Sequence, residues 1–517
     1  MEQLKMIIDN CLKKKLPFKV LDLPSELPEF GGISYNSLKT LKGDIFFAVK
    51  GLASDGHDFI EQAQKKGAVA VVCEKYIEKL NIPQIIVSDS RRALSWFSAC
   101  FYDFPSKDLN IIGVTGTNGK TTICSIIEAM LASSGKKPGV IGTIDTHYTT
   151  KDNNLKSFEN LNTTPESAEL HKIIYEMKQN NITDIIMEVS SHAISLGRVD
   201  DIDFNTIVFS NLTQDHLDFH KTMEDYSKTK AGFIKSRALG FEKSAPVSSV
   251  INVDDNLGRK IFLELSEKNA DVLGYSITEN SDLQAFDIKS SPGNTKALIK
   301  FQNKEIELSS KLTGVHNVEN ILAAAGASVF SGILPEKALE ALCDVEPVSG
   351  RLEQVSNSIR PYIFVDYAHT PDALKNVLHA LKNLGFKKII CIFGCGGDRD
   401  SGKRPVMGSI AGELADISII TSDNPRTEEP EKIIRDIEKG ILKKAVKKDF
   451  TDPFIKGEKI YFLEKDRRRA IRKGLKLSEP EDCILIAGKG HEKYQIIGTQ
   501  KFFFDDRKTS LEEVANV

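Results

Sequence analysis

The stretch Ile111-Ile112-Gly113-Val114-Thr115-Gly116-Thr117-Asn118-Gly119-Lys120-Thr121-Thr122 decides the fold. It runs from an apolar strand through a Gly/Thr-rich turn to a lysine and two hydroxyls, the order of a phosphate cradle. Glycines let backbone N–H groups approach phosphate oxygens with no Cβ between, and the helix that follows turns its positive end toward them. In such a cradle Lys120 neutralises the β- and γ-phosphates of ATP and Thr121 ligates Mg²⁺. The helix is expected because Ile123, Ile126, Ile127, Met130 and Leu131 recur at helical spacing and Gly135 sits where a C-terminal cap belongs. The strict phosphate-loop spacing is missed by one residue, since Val114 stands six before Lys120. An incidental lysine in a Gly-rich turn is the alternative.

Outward from this stretch, 517 residues exceed a single hydrophobic core, and a prior of about 100–200 residues per domain gives roughly three domains. Lys+Arg of 69 against Asp+Glu of 72, with no long block of like charge, gives no footing for a nucleic acid or a membrane surface. Eight cysteines scattered from Cys11 to Cys483, with no CxxC and no zinc spacing, read as free thiols of a reducing compartment. Cys391 and Cys395 are expected to be packed residues. With no export signal and no apolar run of about 18 residues, a soluble, cytoplasmic protein is expected, as a monomer.

The class is α/β, with three domains expected at 1–107, 108–346 and 347–517, and hinges near Lys107 and Pro347. In the first, short apolar strands at 44–49, 69–73 and 84–87 alternate with helical stretches such as 58–66. The second holds strands at 137–142, 184–189 and 205–210 alternating with helices, hence a parallel sheet. Residues 272–312 are expected as a small antiparallel addition, before a helix opened by Gly314-Val315-His316-Asn317 with small residues for close packing. The third alternates again, with strands at 362–366, 388–393, 416–421 and 483–487. It is Rossmann-like, but Gly394-Cys395-Gly396-Gly397-Asp398 has the wrong glycine spacing for a dinucleotide fingerprint.

In a parallel sheet ligands bind at the carboxyl ends of strands, and the polar clusters fall there repeatedly. Glu188 ends the strand at 184–189 beside the phosphate loop and is placed to ligate Mg²⁺. After the next strand come Asn211, Thr213, Asp215 and His216, whose imidazole is a candidate for a second Mg²⁺. His216 and His220 are four apart, but no glutamate follows His216 and the metalloprotease pattern fails. His220 is expected at the surface.

Glu188-Val189-Ser190-Ser191-His192, Asn211-Leu212-Thr213-Gln214-Asp215-His216-Leu217-Asp218, Gly314-Val315-His316-Asn317, Gly350-Arg351 and Asp366-Tyr367-Ala368-His369-Thr370-Pro371 stand in order along the chain. Together with Gly116-Thr117-Asn118-Gly119-Lys120-Thr121-Thr122 they resemble the Mur ligase family, which joins an amino acid to a carboxylate using ATP. The resemblance implies that residues 116–122, Asn317, Arg351 and Asp366 contact ATP, with Arg351 on phosphate and Asp366 near the nucleoside. It implies that Lys230, in Tyr226-Ser227-Lys228-Thr229-Lys230, is carbamylated and orients Mg²⁺; by itself Lys230 reads as a helix-surface lysine. His192 is a group that would assist the incoming amine.

The N-terminal segment 33–57 resembles the family's uridine-binding domain, with Asn36-Ser37-Leu38 where Asp-Ser-Arg is usual, so Ser37 alone carries over. Asn162, Thr163, Thr164, Ser190 and Arg198 match contacts to the nucleotide substrate. Ser422-Asp423-Asn424-Pro425-Arg426-Thr427 resembles the motif of UDP-N-acetylmuramoyl-tripeptide synthetases that add meso-diaminopimelate. An arginine fork suits that amino acid's distal carboxylate, which lysine lacks. Read by itself, Arg426 pairs with Glu428 or Glu429. The resemblance further implies contacts to diaminopimelate from Asn424, Pro425, Gly488 and Arg399, the last on a second carboxylate, with Asp423 and Glu492 near ammonium groups. The expected reaction adds meso-diaminopimelate to UDP-N-acetylmuramoyl-L-alanyl-D-glutamate through an acyl phosphate. The rivals are a lysine-adding homologue, more distantly a folylpolyglutamate synthetase, and a non-catalytic nucleotide-binding regulator.

Overall fold

The computed structural model of the chain describes residues 18–24, 28–51, 54–160, 162–215, 217–240, 247–357, 361–449 and 457–516. The expected Mg²⁺ ligand His216 lies outside them. The apolar runs form the inner strands of three sheets.

The first sheet has five strands in the order Val20–Asp22, Gln84–Val87, Ala70–Cys73, Asp44–Phe47, Gly32–Ser34, parallel except for the first pair. Helix Ser90–Phe101, capped by the Asp89 carboxylate, packs Ala93, Leu94 and Phe97 against it.

The central sheet has eleven strands. At its middle lies Asn110–Thr115, paired in parallel with Asp184–Glu188 on one side and Thr206–Phe209 on the other, with Val114 opposite Glu188. Strands covered on both faces read as near-continuous apolar runs, and Ile111, Ile112, Ile185, Ile186, Ile207 and Val208 are all fully buried. Helix Lys120–Ser133 buries Ile123, Ile126, Ile127, Met130 and Leu131 on one face, with Gly135 just beyond it at φ +82°. Helix Val315–Phe330 lies beside it, and its alanines permit close approach.

Residues 272–312 differ from expectation. Val272–Ser276 pairs in parallel with Ser248–Asn252, completing one more βαβ unit after helix Asn256–Glu267. Leu283–Ser291 joins it in parallel, and only the following strands, Asn294–Phe301 and Lys304–Ser310, are antiparallel extensions of that same sheet. The opposite edge carries an unforeseen antiparallel pair, Thr146–Thr149 and Leu155–Phe158.

The third sheet has seven strands in the order Glu353–Val355, Tyr362–Asp366, Cys483–Ala487, Ile389–Phe393, Ile417–Ile420, Ile460–Leu463, Val446–Lys447, with only the first pair antiparallel. A hairpin, Tyr494–Ile497 with Gln500–Phe503, follows. Cys391, Cys395 and Cys483 are buried free thiols, as their packing reading expects. Among the described residues no helix is long and apolar enough to cross a membrane.

Candidate active site

The loop Gly116–Gly119 leaves the carboxyl end of Asn110–Thr115, and its glycines are required by space. Gly119 has φ +89°, and a Cβ there would lie 2.4 Å from Asn320 Oδ1; one at Gly116 would lie 1.9 Å from Ser210 Oγ. The loop is pinned from the next strand end. Thr117 N and Asn118 N donate to Asn211 O and Oδ1, both at 2.9 Å, and Ser210 Oγ donates to Asn118 O at 2.6 Å. The loop therefore holds its shape through the chain's own bonds, and the first N–H groups of helix Lys120–Ser133, which lack intrahelical acceptors, remain for an anion. Lys120 Nζ folds over the loop onto Gly116 O and Thr117 O, at 3.1 and 2.9 Å. Thr122 is buried in the first helical turn.

Gly119→Ala is expected to cost about 1–3 kcal/mol, because the left-handed conformation opposes a side chain and the Asn320 amide must move. Thermal unfolding and the KM for ATP, both worsened, check this.

Asn317 donates to Thr313 O at 2.8 Å and accepts from Asn320 Nδ2 at 3.0 Å, so it sets the amide that touches the loop. Asn320 is not among the site residues read from the sequence. Its signal was an amide on an otherwise apolar, buried helix face.

Glu188 is buried at its strand end. Its Oε1 accepts from Thr121 Oγ1 at 3.0 Å and from Thr143 N at 2.8 Å, and its Oε2 accepts from Thr143 Oγ1 at 3.0 Å. Gly142 permits this approach, since a Cβ there would stand 2.7 Å from Glu188 Oε1. Thr143 was not read from the sequence. From the third sheet, Arg351 Nη2 donates to Thr121 Oγ1 at 3.0 Å, with its guanidinium 4.8 Å above the Tyr367 ring. Asp366 holds that turn by accepting from Leu352 N at 2.6 Å and Ala368 N at 2.8 Å. Burial raises the Asp366 pKa, and Arg351 opposes the rise.

Lys230 is no surface residue. It is 1% exposed on helix Met223–Ala238, and its Nζ donates to Thr115 Oγ1 at 3.2 Å and Gly116 O at 3.0 Å, under the phosphate loop. Burial, and then the charge of Lys120, pull its pKa well below the lysine range. The helix carries a buried lysine because Tyr226, one turn earlier, covers it, the ammonium lying 5.1 Å from that ring. His220 is likewise buried, its ring 5.0 Å from that of Tyr226, so the surface reading of His220 is corrected. His192, in the first turn of Ser191–Ser195, packs its ring 4.2 Å from Phe219.

Beside Glu188, Thr163 Oγ1 lies 3.1 Å from Thr143 Oγ1, and Thr164 Oγ1 donates to Glu188 O at 2.7 Å and accepts from Ser190 N at 3.1 Å. Arg198 Nη1 donates to Thr164 O at 2.9 Å. Arg198 also pairs with Glu166, as does Arg91 from the first sheet's helix, at 3.3 and 3.0 Å. Asn162 is exposed, and Ser37 is buried with its hydroxyl on Gln62 Oε1 at 2.6 Å.

The third sheet's carboxyl end gathers the remaining residues. Arg426 sits at φ +51°, its backbone paired with Ile496 O and Gly498 N and its Nη1 donating to Gly397 O at 2.8 Å. Of its two expected local partners Glu428 is taken, because Arg404 holds it at 2.8 and 3.0 Å and lowers that carboxyl to about 2. Among the described residues no carboxylate forms an ion pair with Arg426. Gly396 separates the two expected carboxylate readers: a Cβ there would stand 2.9 Å from Arg426 Nη1 and 3.9 Å from the Cγ of the exposed Arg399. Asp423 and Asn424 are buried beside Gly488 (φ +117°), and Asn424 Nδ2 donates to Glu492 Oε2 at 2.8 Å. Pro425 is buried between Asn424 and Arg426. A cation bonded to both carboxylates is the chain's own Lys489, to which the sequence reading assigns no role although it is a lysine two residues past a buried strand.

Three family models match the chain: Mur ligase family, catalytic domain, over residues 29–102; Mur ligase middle domain over 114–328; and Mur ligase, glutamate ligase domain, over 350–490. A Geobacillus kaustophilus protein named UDP-N-acetylmuramoyl-L-alanyl-D-glutamate–2,6-diaminopimelate ligase is 41% identical over 499 residues, 95% of this chain and 98% of its own. One of the same name from Halalkalibacterium halodurans is 43% identical over 481 residues, 93% of each chain. A solved structure of a ligase with that name superposes with a TM-score of 0.65 at 32% identity, covering 96% of this chain and 97% of its own. At 19% identity, a Thermotoga maritima MurF ligase in complex with ADP shares the fold, with a TM-score of 0.60 over 94% of this chain and 96% of its own.

Proposed function

The chain belongs to the Mur ligase family, and on that premise we propose that it adds meso-diaminopimelate to UDP-N-acetylmuramoyl-L-alanyl-D-glutamate at the expense of ATP, in cytoplasmic peptidoglycan precursor synthesis, as a monomer. The observation that carries this reading is the hydrogen-bonded line Arg351–Thr121–Glu188 across the mouth of the Gly116–Gly119 loop, with the Arg426 guanidinium, in no ion pair among the described residues, at the third sheet.

The residues suit the groups they are assigned. The loop leaves helix N–H groups for phosphate, and Glu188 with Thr121 offers the hard oxygen donors that Mg²⁺ takes. His216 would complete a second position. Bound Mg²⁺ would supply charge neutralisation on the phosphates. Lys230, buried against the neutral acceptors Thr115 Oγ1 and Gly116 O, suits carbamylation, in which its neutral amine adds to CO₂ and releases a proton; the resulting carboxylate would supply a negative oxygen donor for Mg²⁺.

In the reaction the D-glutamate γ-carboxylate attacks the γ-phosphorus of ATP, and ADP leaves. Lys120 and Arg351 stabilise charge on the transferring phosphoryl group. The neutral amine of diaminopimelate then attacks the acyl carbon, phosphate departs and a proton is released, with His192 the candidate to receive it. Asn317 and Asp366 shape the nucleotide's surroundings, while Ser37, Asn162, Thr163, Thr164, Ser190 and Arg198 hold the UDP substrate. Three domains, 1–107, 108–346 and 347–517, closing together would keep water from the acyl phosphate.

Phosphate release from ATP with the UDP-dipeptide and Mg²⁺ should be strong with meso-diaminopimelate, marginal with L-lysine and absent without an amino acid. Release with lysine alone would assign the lysine-adding branch, and none with either would favour a non-catalytic nucleotide-binding protein.

A further inference from the structure

Lys489 is fully buried, yet it is not paired in the way an isolated structural lysine is. Its Nζ stands 3.0 Å from Asn424 Oδ1, 3.4 Å from Asp423 Oδ1 and 3.5 Å from Glu492 Oε2. It therefore reaches three residues at the amino-acid end at once. The same loop is held from behind by the hairpin, through Gln495 Nε2 to Asp423 O at 2.6 Å and Ile496 N to Asn424 Oδ1 at 2.9 Å. Asn424 has thus committed its Oδ1 to Lys489 and Ile496 and its amide to Glu492.

We propose that Lys489 is a positioning residue for amino-acid recognition: its ammonium is a built-in cation that fixes Asp423, Asn424 and Glu492, and with them the loop that presents Arg426. This rests on the diaminopimelate reading above. The buried Asp423 and the part-buried Glu492, both within 3.5 Å of Lys489 Nζ, would otherwise repel and shed one charge. With the Lys489 ammonium between them, and the Arg467 guanidinium also acting on both, they can keep negative charge for a substrate ammonium. The two carboxyls already diverge: Lys489, then Arg467, overcome burial and hold Asp423 below the usual range, whereas burial dominates at Glu492 and raises it. Lys489 touches the loop rather than the reacting atoms, so its removal should act on the amino acid alone.

The test is steady-state kinetics of Lys489→Met, which keeps the side chain's length and removes its charge. The KM for diaminopimelate should rise at least about 50-fold while the KM values for ATP and the UDP-dipeptide stay within about threefold. A folded variant with an unchanged diaminopimelate KM overturns the proposal, as does an equal loss toward all three substrates, which marks a merely structural lysine. Should Lys489→Met not fold, Gln495→Leu reads the same frame from the hairpin, with a diaminopimelate KM raised about 10-fold expected and an unchanged one overturning it. Wild-type protein without diaminopimelate-dependent turnover would instead refute the function itself.

Discussion

Lys230→Ala is expected to lower kcat by on the order of 10³ with little change in melting temperature, and wild-type activity should fall when CO₂ is stripped and return with bicarbonate. The buried ammonium sits directly below the phosphate loop, bonded to Thr115 Oγ1 and Gly116 O, with neutral acceptors only. A charged lysine there would work against Lys120, whose ammonium occupies the same loop's carbonyls. A carbamate there would convert that repulsion into attraction toward Lys120 and toward a bound Mg²⁺. Removing a cation whose burial outweighs the nearby charge of Asp215 does not in itself destabilise the fold, which is why activity and stability should separate. ¹³C-labelled bicarbonate should give a carbamate carbon signal that Lys230→Ala lacks. A Lys230→Ala enzyme within tenfold of wild type, or wild-type activity indifferent to CO₂, would refute this role.

The elements that carry the site were legible because local pattern and tertiary environment agree in them. The strand, loop and helix of 110–133 combine an apolar run, glycines at strained positions and a periodic face, and each signal is local. The loops after 366, 393, 420 and 487 were legible as sites because all four leave the carboxyl ends of parallel strands in one sheet.

What escaped reading depends on partners distant in the chain. Lys230 looks like any exposed lysine until Tyr226 and the phosphate loop, more than a hundred residues away, enclose it. Asn320 and Thr143 gain meaning only from Gly119 and Glu188. Residues 272–276 were taken with the antiparallel strands because short strands and turns look alike, whereas a parallel partner at 248–252 was not visible. For Arg426 the local reading offers Glu428 or Glu429, neighbours two and three residues on, and the fold gives Glu428 to Arg404.

That displaced pairing leads to the specificity of the amino-acid site. Arg426→Ala is expected to reduce kcat/KM for meso-diaminopimelate by on the order of 10²–10⁴, with the marginal turnover of L-lysine unchanged, so that discrimination between the two collapses. The argument is geometric: the backbone of Arg426 is locked at φ +51° by Ile496 and Gly498, one Nη1–H is spent on Gly397 O, and the remaining fork is left for a ligand carboxylate. Wild-type protein given lysine would leave that fork desolvated and unanswered, which is the cost that rejects it. Arg426→Lys should recover only a small part of the loss, since a point charge cannot make the bidentate contact. If instead Arg426→Ala lost activity equally toward both amino acids, the residue would be supporting the loop through Gly397 rather than reading the substrate. The Lys489→Met enzyme would then be the better guide to what sets the choice.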